Sequence, residues 1–460
     1  MSAPAGTPLR IHSVDGHPSA DGYLPRPRVV VVGVGHAGIE AARALRREAV
    51  DVIVVDRNNY HTFQPLLYQV ATAGLQPGDI TQPARHLFRD QPNVAFRHAT
   101  VTGVDLDAKL VFLEDGPPLP YDYLVLGAGA TTAYYGVEGA AEAGFPLKSA
   151  ADAIRLRSHV LRCFEEADAR PGVIEEGALT FVVVGGGATG VEMSGALREL
   201  FDKVLRKDFP ALDVDRARAV LVEMAPALMA GYKDELRAYT RRTLEKRGVE
   251  VRLSDAVVRA TPEAVTLKSG EVIPAWTLIW AAGVRAHPLA DALGVEQTSG
   301  GRIVVDDALR VPDHPEVFVA GDLAGATDAE GHLYPQVAQV AIQQGRHAAR
   351  MIRRTLRGLD PETFRYTDLG MMATIGRNAA ILQLPTGFTL TGFLAWLGWV
   401  VLHVVKLIGF RNRLSVMLNW TYNYFTYDRG PRLIGPILDT PSGRHRPAYA
   451  GGEEEVSASA

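Results

Sequence analysis

Two segments of the chain share one pattern of hydrophobic and small residues. Residues 30–45 read VVVGVGHAGIEAARAL and residues 182–197 read VVVGGGATGVEMSGAL, with nine of the sixteen aligned positions identical. Each segment has a β-branched apolar run, then Gly-x-Gly-x-x-Gly, then apolar positions at helical spacing. We therefore predict strand–turn–helix in both, the context in which this fingerprint binds the pyrophosphate of a dinucleotide. Two copies predict two dinucleotides on one chain, most simply a flavin and a nicotinamide.

The six fingerprint glycines have three predicted roles. The first glycine of each copy allows the tight turn, the second lets the pyrophosphate approach the backbone, and the third lets the helix pack on the strand. The N–H groups at the start of the helix then face the anion. In this order the glycines are Gly33, Gly35 and Gly38 in the first copy, and Gly185, Gly187 and Gly190 in the second.

A carboxylate follows each fingerprint at the end of the next predicted strand. The strand DVIVVD ends at Asp56, and AVLVEM ends near Glu223. A carboxylate in this place accepts hydrogen bonds from the adenosine ribose of a bound dinucleotide. The next basic residue after Glu223 is Lys233, so no cation stands beside it to bind a 2′-phosphate. The second unit is therefore predicted to prefer NADH to NADPH.

The order of the predicted elements indicates one domain inserted into another. An apolar strand that ends in small residues closes each unit, at 121–132 and at 277–284. A strand at 317–325 and a helix at 335–352 then return as the second half of the first domain. The predicted fold class is α/β, with two Rossmann-like domains and a C-terminal helical region. The predicted boundaries are 27–147 and 301–380 for the first domain, 148–300 for the second, 381–435 for the C-terminal region, and disordered tails at 1–26 and 436–460.

The C-terminal region differs from the rest in its apolar and aromatic content. In TLTGFLAWLGWVVLHVVKLI (389–408) the apolar core is only Phe393 to Leu402, shorter than the roughly 20 residues that a spanning helix needs. Three cations follow, and then the Trp- and Tyr-rich segment 414–427. Apolar residues beside aromatics and cations are typical of a helix at a membrane surface. A dimer interface, plain core packing and a true span remain alternatives.

Composition excludes several classes of function. The net charge of −4 over 460 residues gives no reason to expect a nucleic acid partner. Cys163 is the single cysteine, which excludes an internal disulfide and a redox cysteine pair, and with them the disulfide reductases. The histidines show no spacing typical of metal ligands, so no metal site is predicted.

Three motifs carry a resemblance to a known family. They are AQVAIQQG (338–345), DRNNYHTFQPLLYQVATAGL (56–75) and GFRNR (409–413), the last following an apolar helix. With these motifs the chain resembles the type II NADH:quinone oxidoreductases over roughly residues 28 to 435. The resemblance implies FAD in the first domain, NADH in the second, and a membrane quinone, ubiquinone or menaquinone, as electron acceptor. It also implies a homodimer that associates peripherally with the cell membrane through residues 389–427, on the cytoplasmic face where NADH is found.

By this resemblance, hydride passes from NADH to FAD and two electrons then pass to the quinone, without proton pumping. Glu192 is the catalytic residue near the nicotinamide and the flavin, although Glu40 occupies the equivalent slot of the first copy. Gln339 and Gln343 lie four residues apart on one helix face, where neutral amides can hydrogen-bond quinone carbonyls. The implied FAD-binding residues are Gly33, Gly35, Gly38, Asp56, Ala128, Gly129, Asp322, Ala338 and Gln339. The implied NADH-binding residues are Gly185, Gly187, Gly190, Glu223 and Gly283.

Three other functions fit parts of the pattern. A sulfide:quinone oxidoreductase would share the architecture but uses catalytic cysteines. A ferredoxin or rubredoxin reductase would not need residues 389–427. A non-catalytic flavoprotein that senses NADH at a membrane would predict slow flavin reoxidation and no turnover with quinone.

Overall fold

The elements of the fold are taken from a computed structural model that describes residues 26–435. The predicted tails, at 1–26 and 436–460, fall outside the described residues apart from Arg26. The strands are β1 (Arg28–Val32), β2 (Asp51–Asp56), β3 (Tyr60–Thr62), β4 (Thr81–Pro83), β5 (Val94–His98), β6 (Val101–Asp105), β7 (Leu110–Leu113), β8 (Leu119–Pro120), β9 (Tyr123–Leu126), β10 (Ala130–Thr132), β11 (Gly144–Pro146), β12 (Thr180–Val184), β13 (Arg218–Glu223), β14 (Val249–Leu253), β15 (Val257–Ala260), β16 (Ala264–Leu267), β17 (Val272–Pro274), β18 (Thr277–Trp280), β19 (Val284–Ala286), β20 (Arg310–Val311), β21 (His314–Val319), β22 (Met371–Gly376), β23 (Ala379–Gln383) and β24 (Thr389–Thr391).

The helices lie between groups of these strands. They are α1 (His36–Ala44), α2 (Leu67–Ala71), α3 (Pro77–Ile80), α4 (Ala84–Phe88), α5 (Ala140–Ala143), α6 (Ala150–Ala169), α7 (Ala188–Leu200), α8 (Arg206–Asp208), α9 (Asp234–Lys246), α10 (Leu289–Ala292), α11 (Ala338–Leu356), α12 (Gly392–Lys406) and α13 (Phe410–Thr426). Short 3-10 or π-helical segments are Gln64–Leu66, Pro171–Ile174, Phe201–Leu205, Val214–Arg216, Ser299–Gly301 and Gly321–Leu323.

The chain forms two compact units. The first contains residues 26–62, 81–133 and 284–369, and the second contains residues 63–80, 134–283 and 370–435. The units therefore divide near residues 133 and 284, whereas the sequence analysis placed the corresponding domain boundaries at residues 147 and 300. The short segment 63–80 and the C-terminal helices, which the pattern assigned elsewhere, both belong to the second unit.

The core of the first unit is a six-stranded sheet in the order β20-β21-β9-β1-β2-β5. Strand β1 lies centrally, parallel to β2 and β9, with Val32 opposite both Val55 and Leu126. The valines of β1 are buried, as expected for a parallel sheet that is covered on both faces. Strand β21 pairs in parallel with β9, so the returning third segment completes this sheet.

The second unit repeats the arrangement with five parallel strands in the order β11-β18-β12-β13-β14. Here β12 lies between β13 and β18, and Val184 is opposite both Val222 and Trp280. The α/β fold with two Rossmann-like sheets is thereby confirmed. In both units the fingerprint glycines follow the central strand, at the carboxyl edge where such sheets bind ligands.

The C-terminal elements pack onto the second unit's own helices. The three-stranded sheet β22-β23-β24 lies against α7, where a Cβ added at Gly195 would come within 2.1 Å of the Ile375 carbonyl oxygen. Helix α12 covers β23, and α13 contacts α3. The predicted helix at 335–352 is observed as α11, which starts three residues later, after the extended Val337, and ends at Leu356.

Candidate functional site

The two fingerprint turns have the same geometry. Gly33 and Gly185 have φ values of +103° and +109°, in the region that side chains with a Cβ rarely adopt. A Cβ at Gly38 would lie 1.9 Å from the Gly33 carbonyl oxygen, and one at Gly190 would lie 1.8 Å from that of Gly185. Helix and turn are therefore in backbone contact in both units, which only glycine permits.

The helices after these turns begin without a side-chain cap. Gly35 is the N-cap of α1 and Gly187 that of α7, and neither helix has a capping side chain. A Cβ at Gly187 would meet nothing within 4 Å, and one at Gly35 would meet only the Gly127 carbonyl oxygen, at 4.0 Å. Open space thus lies before N–H groups that need an acceptor, and the positive end of each helix dipole favours an anion there. Both cradles fit a pyrophosphate.

Asp56 and Glu223 hold their turns in the same way. Asp56 accepts hydrogen bonds of 2.7 Å from the backbone N–H groups of Val34 and Asn58. Glu223 accepts them from Gly186 and Ala225, the latter at 2.7 Å. Burial raises the pKa of Asp56, and its two backbone hydrogen bonds partly offset this effect. Since a carboxylate has about four acceptor positions, Asp56 and Glu223 can each still accept hydrogen bonds from ribose hydroxyls.

His61 was not singled out by the sequence analysis, but it supports the first turn. Its Nδ1 lies 2.9 Å from the Val34 carbonyl oxygen, and its ring contacts the edge of the His36 ring with centroids 5.0 Å apart. Burial, with the neighbouring His36, lowers the pKa of His61 to about 3. The ring is therefore neutral, and because a carbonyl only accepts, Nδ1 carries the hydrogen. The hydrogen bond fixes the carbonyl between Gly33 and Gly35.

The Gly-Asp segment lies at the end of β21, beside the start of α11. Asp322 is in the 3-10 turn Gly321–Leu323, and its backbone carbonyl accepts a 2.8 Å hydrogen bond from Gln336. The buried Gln344 accepts a 2.7 Å hydrogen bond from the Gly321 N–H. The sequence analysis named Gln343 for the quinone site and did not name the adjacent Gln344, whose side chain fixes this turn. Helical periodicity offered a signal, because Gln344 lies on the same face as Val340 and Ala341.

The two glutamines predicted for the quinone site differ in their contacts. Gln343 makes two 2.9 Å hydrogen bonds with the backbone of Thr367, donating from Nε2 and accepting at Oε1. Its amide is thus engaged by the chain itself. Gln339 is half-buried one turn earlier, next to Ala338 at the start of α11. The role of both residues toward quinone remains a prediction.

The strands that close each unit bring small residues to the same edge. In the first unit Ala128 is half-buried, and Gly129, with φ of +75°, has open space where a Cβ would be. In the second unit Gly283 has φ of +151° and lies beneath the Tyr135 hydroxyl, which would be 2.3 Å from an added Cβ. The predicted FAD residues therefore cluster at one sheet edge of the first unit, and the predicted NADH residues at one edge of the second.

Glu192 and Glu40 occupy the same helical position but have different surroundings. Glu40 forms a 2.6 Å ion pair with Arg346. Among residues 26–435, Glu192 has no ion-pair partner, and its one hydrogen bond is a long one of 3.4 Å, from the Thr374 N–H. Burial raises the pKa of Glu192 to about 8, against the smaller lowering effect of that hydrogen bond. The two glutamates therefore differ: Glu40 is held by an ion pair, whereas the pKa of Glu192 is raised toward neutral pH.

The C-terminal helices leave an apolar surface exposed, which we call the α12–α13 face. Phe410 and Phe425 are 81% and 78% exposed. Lys406, Arg411 and Arg413 stand at the junction of the two helices. Among residues 26–435, no helix is both long enough and apolar enough to cross a membrane. The exposed apolar side chains of the face are Phe393, Leu394, Leu397, Val401, Leu402, Val405, Phe410, Leu414, Met417, Leu418, Tyr422 and Phe425.

Two family models match this chain, one over most of its length and one over its C-terminal part. The model described as pyridine nucleotide-disulphide oxidoreductase matches residues 27–345. The model described as NDH2 C-terminal domain matches residues 369–427.

Similar proteins match over nearly the whole chain. Two are type II NADH:quinone oxidoreductases of Mycobacterium tuberculosis. NdhA is 38% identical, covering 91% of this chain and 91% of the relative, and Ndh is 39% identical, covering 89% and 90%. Among solved structures, NDH2 from Plasmodium falciparum in complex with NADH superposes with a TM-score of 0.81 at 17% identity, covering 87% of this chain and 98% of that one. The sulfide:quinone oxidoreductase of Aquifex aeolicus gives 0.68 at 18% identity, covering 87% and 95%. At such identities the structural likeness concerns the fold alone.

Proposed function

This chain belongs to the type II NADH:quinone oxidoreductases, and we propose that its two cradles divide the cofactors, with FAD in the first unit and NADH in the second. It is an FAD-dependent enzyme that oxidises NADH and reduces a quinone without pumping protons. The repeated geometry of turn, uncapped helix and ribose carboxylate supports one dinucleotide site in each unit, and the family resemblance assigns FAD to the first.

The flavin, when bound, supplies the chemistry of accepting a hydride and passing on two electrons. The residues of this chain bind and orient FAD and NADH. Gly35 and the first turn of α1 hold the pyrophosphate, Asp56 holds the ribose, and His61 keeps the Val34 carbonyl in place. Gly187 and Glu223 do the same for NADH. Glu223 is the last residue of β13, no basic residue follows it before Lys233, and Met224 directly after it is 76% exposed, which favours NADH over NADPH.

Proton supply is the remaining requirement, and Glu192 meets it. Quinone reduction by NADH consumes one proton for each quinol formed. A carboxyl group that is protonated near neutral pH can donate that proton and regain it from water. The predicted quinone hydrogen bonds are assigned to Gln339 and Gln343, whose amides lie four residues apart on α11 and would donate to the quinone carbonyls.

The α12–α13 face fits the surface of a lipid membrane. Its apolar side chains would enter the boundary of the acyl chains, and Lys406, Arg411 and Arg413 would meet anionic headgroups. This proposal places the enzyme peripherally on the cytoplasmic face of the cell membrane, where NADH is present and a lipid-soluble quinone is within reach.

Vesicle sedimentation tests the membrane surface. Replacing Phe410, Leu418 and Phe425 together by serine should weaken binding to anionic vesicles by about a hundredfold or more, since each large side chain contributes about 1.5–3 kcal/mol when buried. Replacing the exposed Phe112 and Val272 by serine is the matched control and should change nothing. Equal binding by both variants would reject this surface.

The resemblance also implies a homodimer, for which the α12–α13 face is a second candidate role, as the interface between subunits. Light scattering of the enzyme with and without detergent distinguishes a membrane-binding face from a dimer interface. A dimer that persists in detergent requires another interface, and one that dissociates identifies the α12–α13 face as the contact between copies.

The activity itself is tested by anaerobic visible spectroscopy of the purified enzyme. NADH should bleach the bound flavin, NADPH should do so only at much higher concentration, and a short-chain quinone should restore the colour at once. Bleaching without recovery would favour a ferredoxin-type reductase or an NADH sensor. If quinone restored the flavin colour after reduction by sulfide but not after reduction by NADH, the result would favour a sulfide:quinone oxidoreductase. The single cysteine of this chain, Cys163, is however buried.

A further inference from the structure

The carbonyl oxygen of the middle residue in each Gly-x-Gly turn accepts a hydrogen bond, but the donors differ between the two units. In the first unit the Val34 carbonyl lies 2.9 Å from His61 Nδ1, which is a side-chain donor. In the second unit the Gly186 carbonyl, at the equivalent position, accepts from the backbone N–H of Met229 at 2.8 Å. The same contact therefore occurs twice, once from an imidazole and once from the backbone.

The amide nitrogen of the same middle residue is also bonded in both turns. The Val34 N–H donates to Asp56 Oδ2 at 2.7 Å, and the Gly186 N–H donates to Glu223 Oε2. Both polar groups of the middle residue are thus engaged, which fixes the peptide planes on either side of it. Because two separate turns repeat the carbonyl contact, it belongs to the turn and is not an incidental result of the packing around His61.

The carbonyl contact decides where the next amide N–H points. A trans peptide unit is planar, and its C=O and N–H groups point in opposite directions. The bond that follows Val34 is trans, so the Gly35 N–H points away from His61. Gly35 is the N-cap of α1, and among residues 26–435 no acceptor receives its N–H. This N–H is therefore available to an anion at the start of the helix.

Water cannot easily replace His61 in this contact, because both partners are buried. His61 is 3% exposed and Val34 is 2% exposed. His61 lies on β3, opposite Gln82 of β4, and its ring contacts the edge of the His36 ring. Strand pairing and this ring contact hold the imidazole beside the Val34 carbonyl.

The second ring nitrogen of His61 indicates which atom of the side chain matters. Nε2 is buried and has no hydrogen-bond partner among the described residues. Since a carbonyl only accepts, Nδ1 carries the hydrogen and Nε2 keeps its lone pair. A buried acceptor without a donor disfavours the folded state. His61 therefore contributes through its Nδ1 donor, and another side chain with a donor at that position should replace it.

We propose that His61 is a positioning residue for FAD, which binds the Val34 carbonyl from behind and thereby aims the Gly35 N–H at the pyrophosphate. The proposal rests on the proposed function, in which the first cradle holds FAD. In the second cradle Met229 acts through its backbone N–H, which no ordinary side-chain substitution removes. The flavin cradle thus depends on one replaceable side chain, whereas the nicotinamide cradle does not.

FAD binding should therefore depend on one donor atom and not on the imidazole ring as such. Asparagine carries its amide nitrogen close to the place of histidine Nδ1, so His61→Asn keeps the donor. Leucine has the branched shape of asparagine without a polar atom, so His61→Leu removes the donor. The peptide between Val34 and Gly35 can then rotate, and its N–H no longer faces the pyrophosphate.

The test measures the loss of FAD from the detergent-purified holoenzyme on dilution, followed by the fluorescence of the released flavin. Phosphorus NMR of the same holoenzyme reports the surroundings of the two FAD phosphates. His159→Leu is the matched control, because His159 is also buried and makes one 2.9 Å hydrogen bond, between its Nε2 and Thr277 Oγ1 in the second unit. The KM for NADH and the thermal midpoint are measured for every variant.

We expect His61→Leu to lose FAD at least about tenfold faster than the parent, as the loss of one hydrogen bond to a charged group implies. Its phosphorus signals should shift. His61→Asn should lose FAD within about threefold of the parent rate and keep the parent signals. His159→Leu should lower the thermal midpoint and leave both FAD measurements unchanged. The KM for NADH should be the same in both His61 variants.

Two results would overturn the proposal alone. One is equal FAD loss from His61→Asn and His61→Leu, and the other is faster loss from His61→Leu with unchanged phosphorus signals, which would mean that His61 only supports packing. Should His61→Leu fail to fold, His61→Gln carries the same test, because its amide nitrogen extends to the place of Nε2 and misses the Val34 carbonyl. An effect confined to the KM for NADH would overturn the proposal together with the assignment of the cradles, so the two failures are distinct.

Discussion

Glu199 and Arg429 form an ion pair in the interior of the second unit, with 2.9 Å between Glu199 Oε1 and Arg429 Nη2. Arg377 Nη2 lies 3.0 Å from the same oxygen. Burial acts to raise the pKa of Glu199, but the two guanidinium groups outweigh it and lower that pKa. Arg429 also donates to the Thr72 carbonyl at 2.7 Å. The segment after α13 is thus fastened to α7 and to the residue that follows α2.

Replacing Arg429 by methionine should lower the free energy of unfolding by about 3 kcal/mol, because it leaves a buried carboxylate with half of its charge compensation. Urea unfolding measures the change. Arg432→Met is the control: its ion pair with Asp208 is more exposed, and its loss should cost less than about 1 kcal/mol. Equal losses of unfolding free energy in the two variants would mean that the buried ion pair stabilises the fold no more than the exposed one.

Matched alanine substitutions in the two fingerprints assign the cofactors. Gly38→Ala places a Cβ 1.9 Å from a carbonyl oxygen, and Gly190→Ala does so at 1.8 Å, so the local disturbance is similar. We expect Gly38→Ala to purify without flavin. Gly190→Ala should retain FAD, which NADH then bleaches only at roughly tenfold or higher concentration. The opposite pattern of flavin content would reverse the assignment of the two units.

Glu223→Gln tests the recognition of NADH. The amide keeps the shape of the side chain, but its nitrogen would face one of two backbone donors, Gly186 or Ala225. The KM for NADH should rise about tenfold, and the KM for NADPH should rise less or fall, because a negative charge near the 2′-phosphate is removed. Steady-state rates at saturating quinone measure both. The surface variant Glu245→Gln should leave them unchanged, and a parallel rise for the two nucleotides would contradict a ribose contact.

Glu192→Gln tests the pH dependence of stability. The folded-state pKa of Glu192, about 8, is raised above its ordinary value of 4.5 by burial. The contribution of the protonated carboxyl is therefore complete below pH 4.5 and is lost as the pH rises through about 8. Relative to the parent, the thermal midpoint of Glu192→Gln should rise by at least about 2 °C between pH 5 and pH 9. Glu175→Gln, whose side chain is 78% exposed in the parent, should show no such trend, and a flat difference for Glu192→Gln would contradict the raised pKa.

Much of each dinucleotide cradle followed from local sequence. Gly33 and Gly185 allow a turn with positive φ, Gly38 and Gly190 allow the backbone contact between helix and turn, and Gly35 and Gly187 leave open space before the helix. The strand before each turn fixes where the turn lies. Asp56 and Glu223 follow from the next strand in the same way. The predicted cofactors follow from this local geometry together with the family resemblance.

Contacts between distant parts of the chain were not predictable in this way. Asp79 bonds Ser415 and Asn419, more than 300 residues later, and these bonds seat α13 against α3. No periodicity within either segment encodes such a pairing, because each partner is an ordinary polar residue in its own surroundings.

The sequence by itself therefore determined the two fingerprints, their ribose carboxylates and the apolar C-terminal helices, since backbone sterics and hydrophobic periodicity act over a few residues. Only the tertiary structure decided that Gln344 holds the Gly321 turn, that His61 fixes the Val34 carbonyl, and that Glu192 differs from Glu40 in its surroundings. Burial and hydrogen-bond direction set these roles, and both depend on neighbours that the folded chain brings from elsewhere.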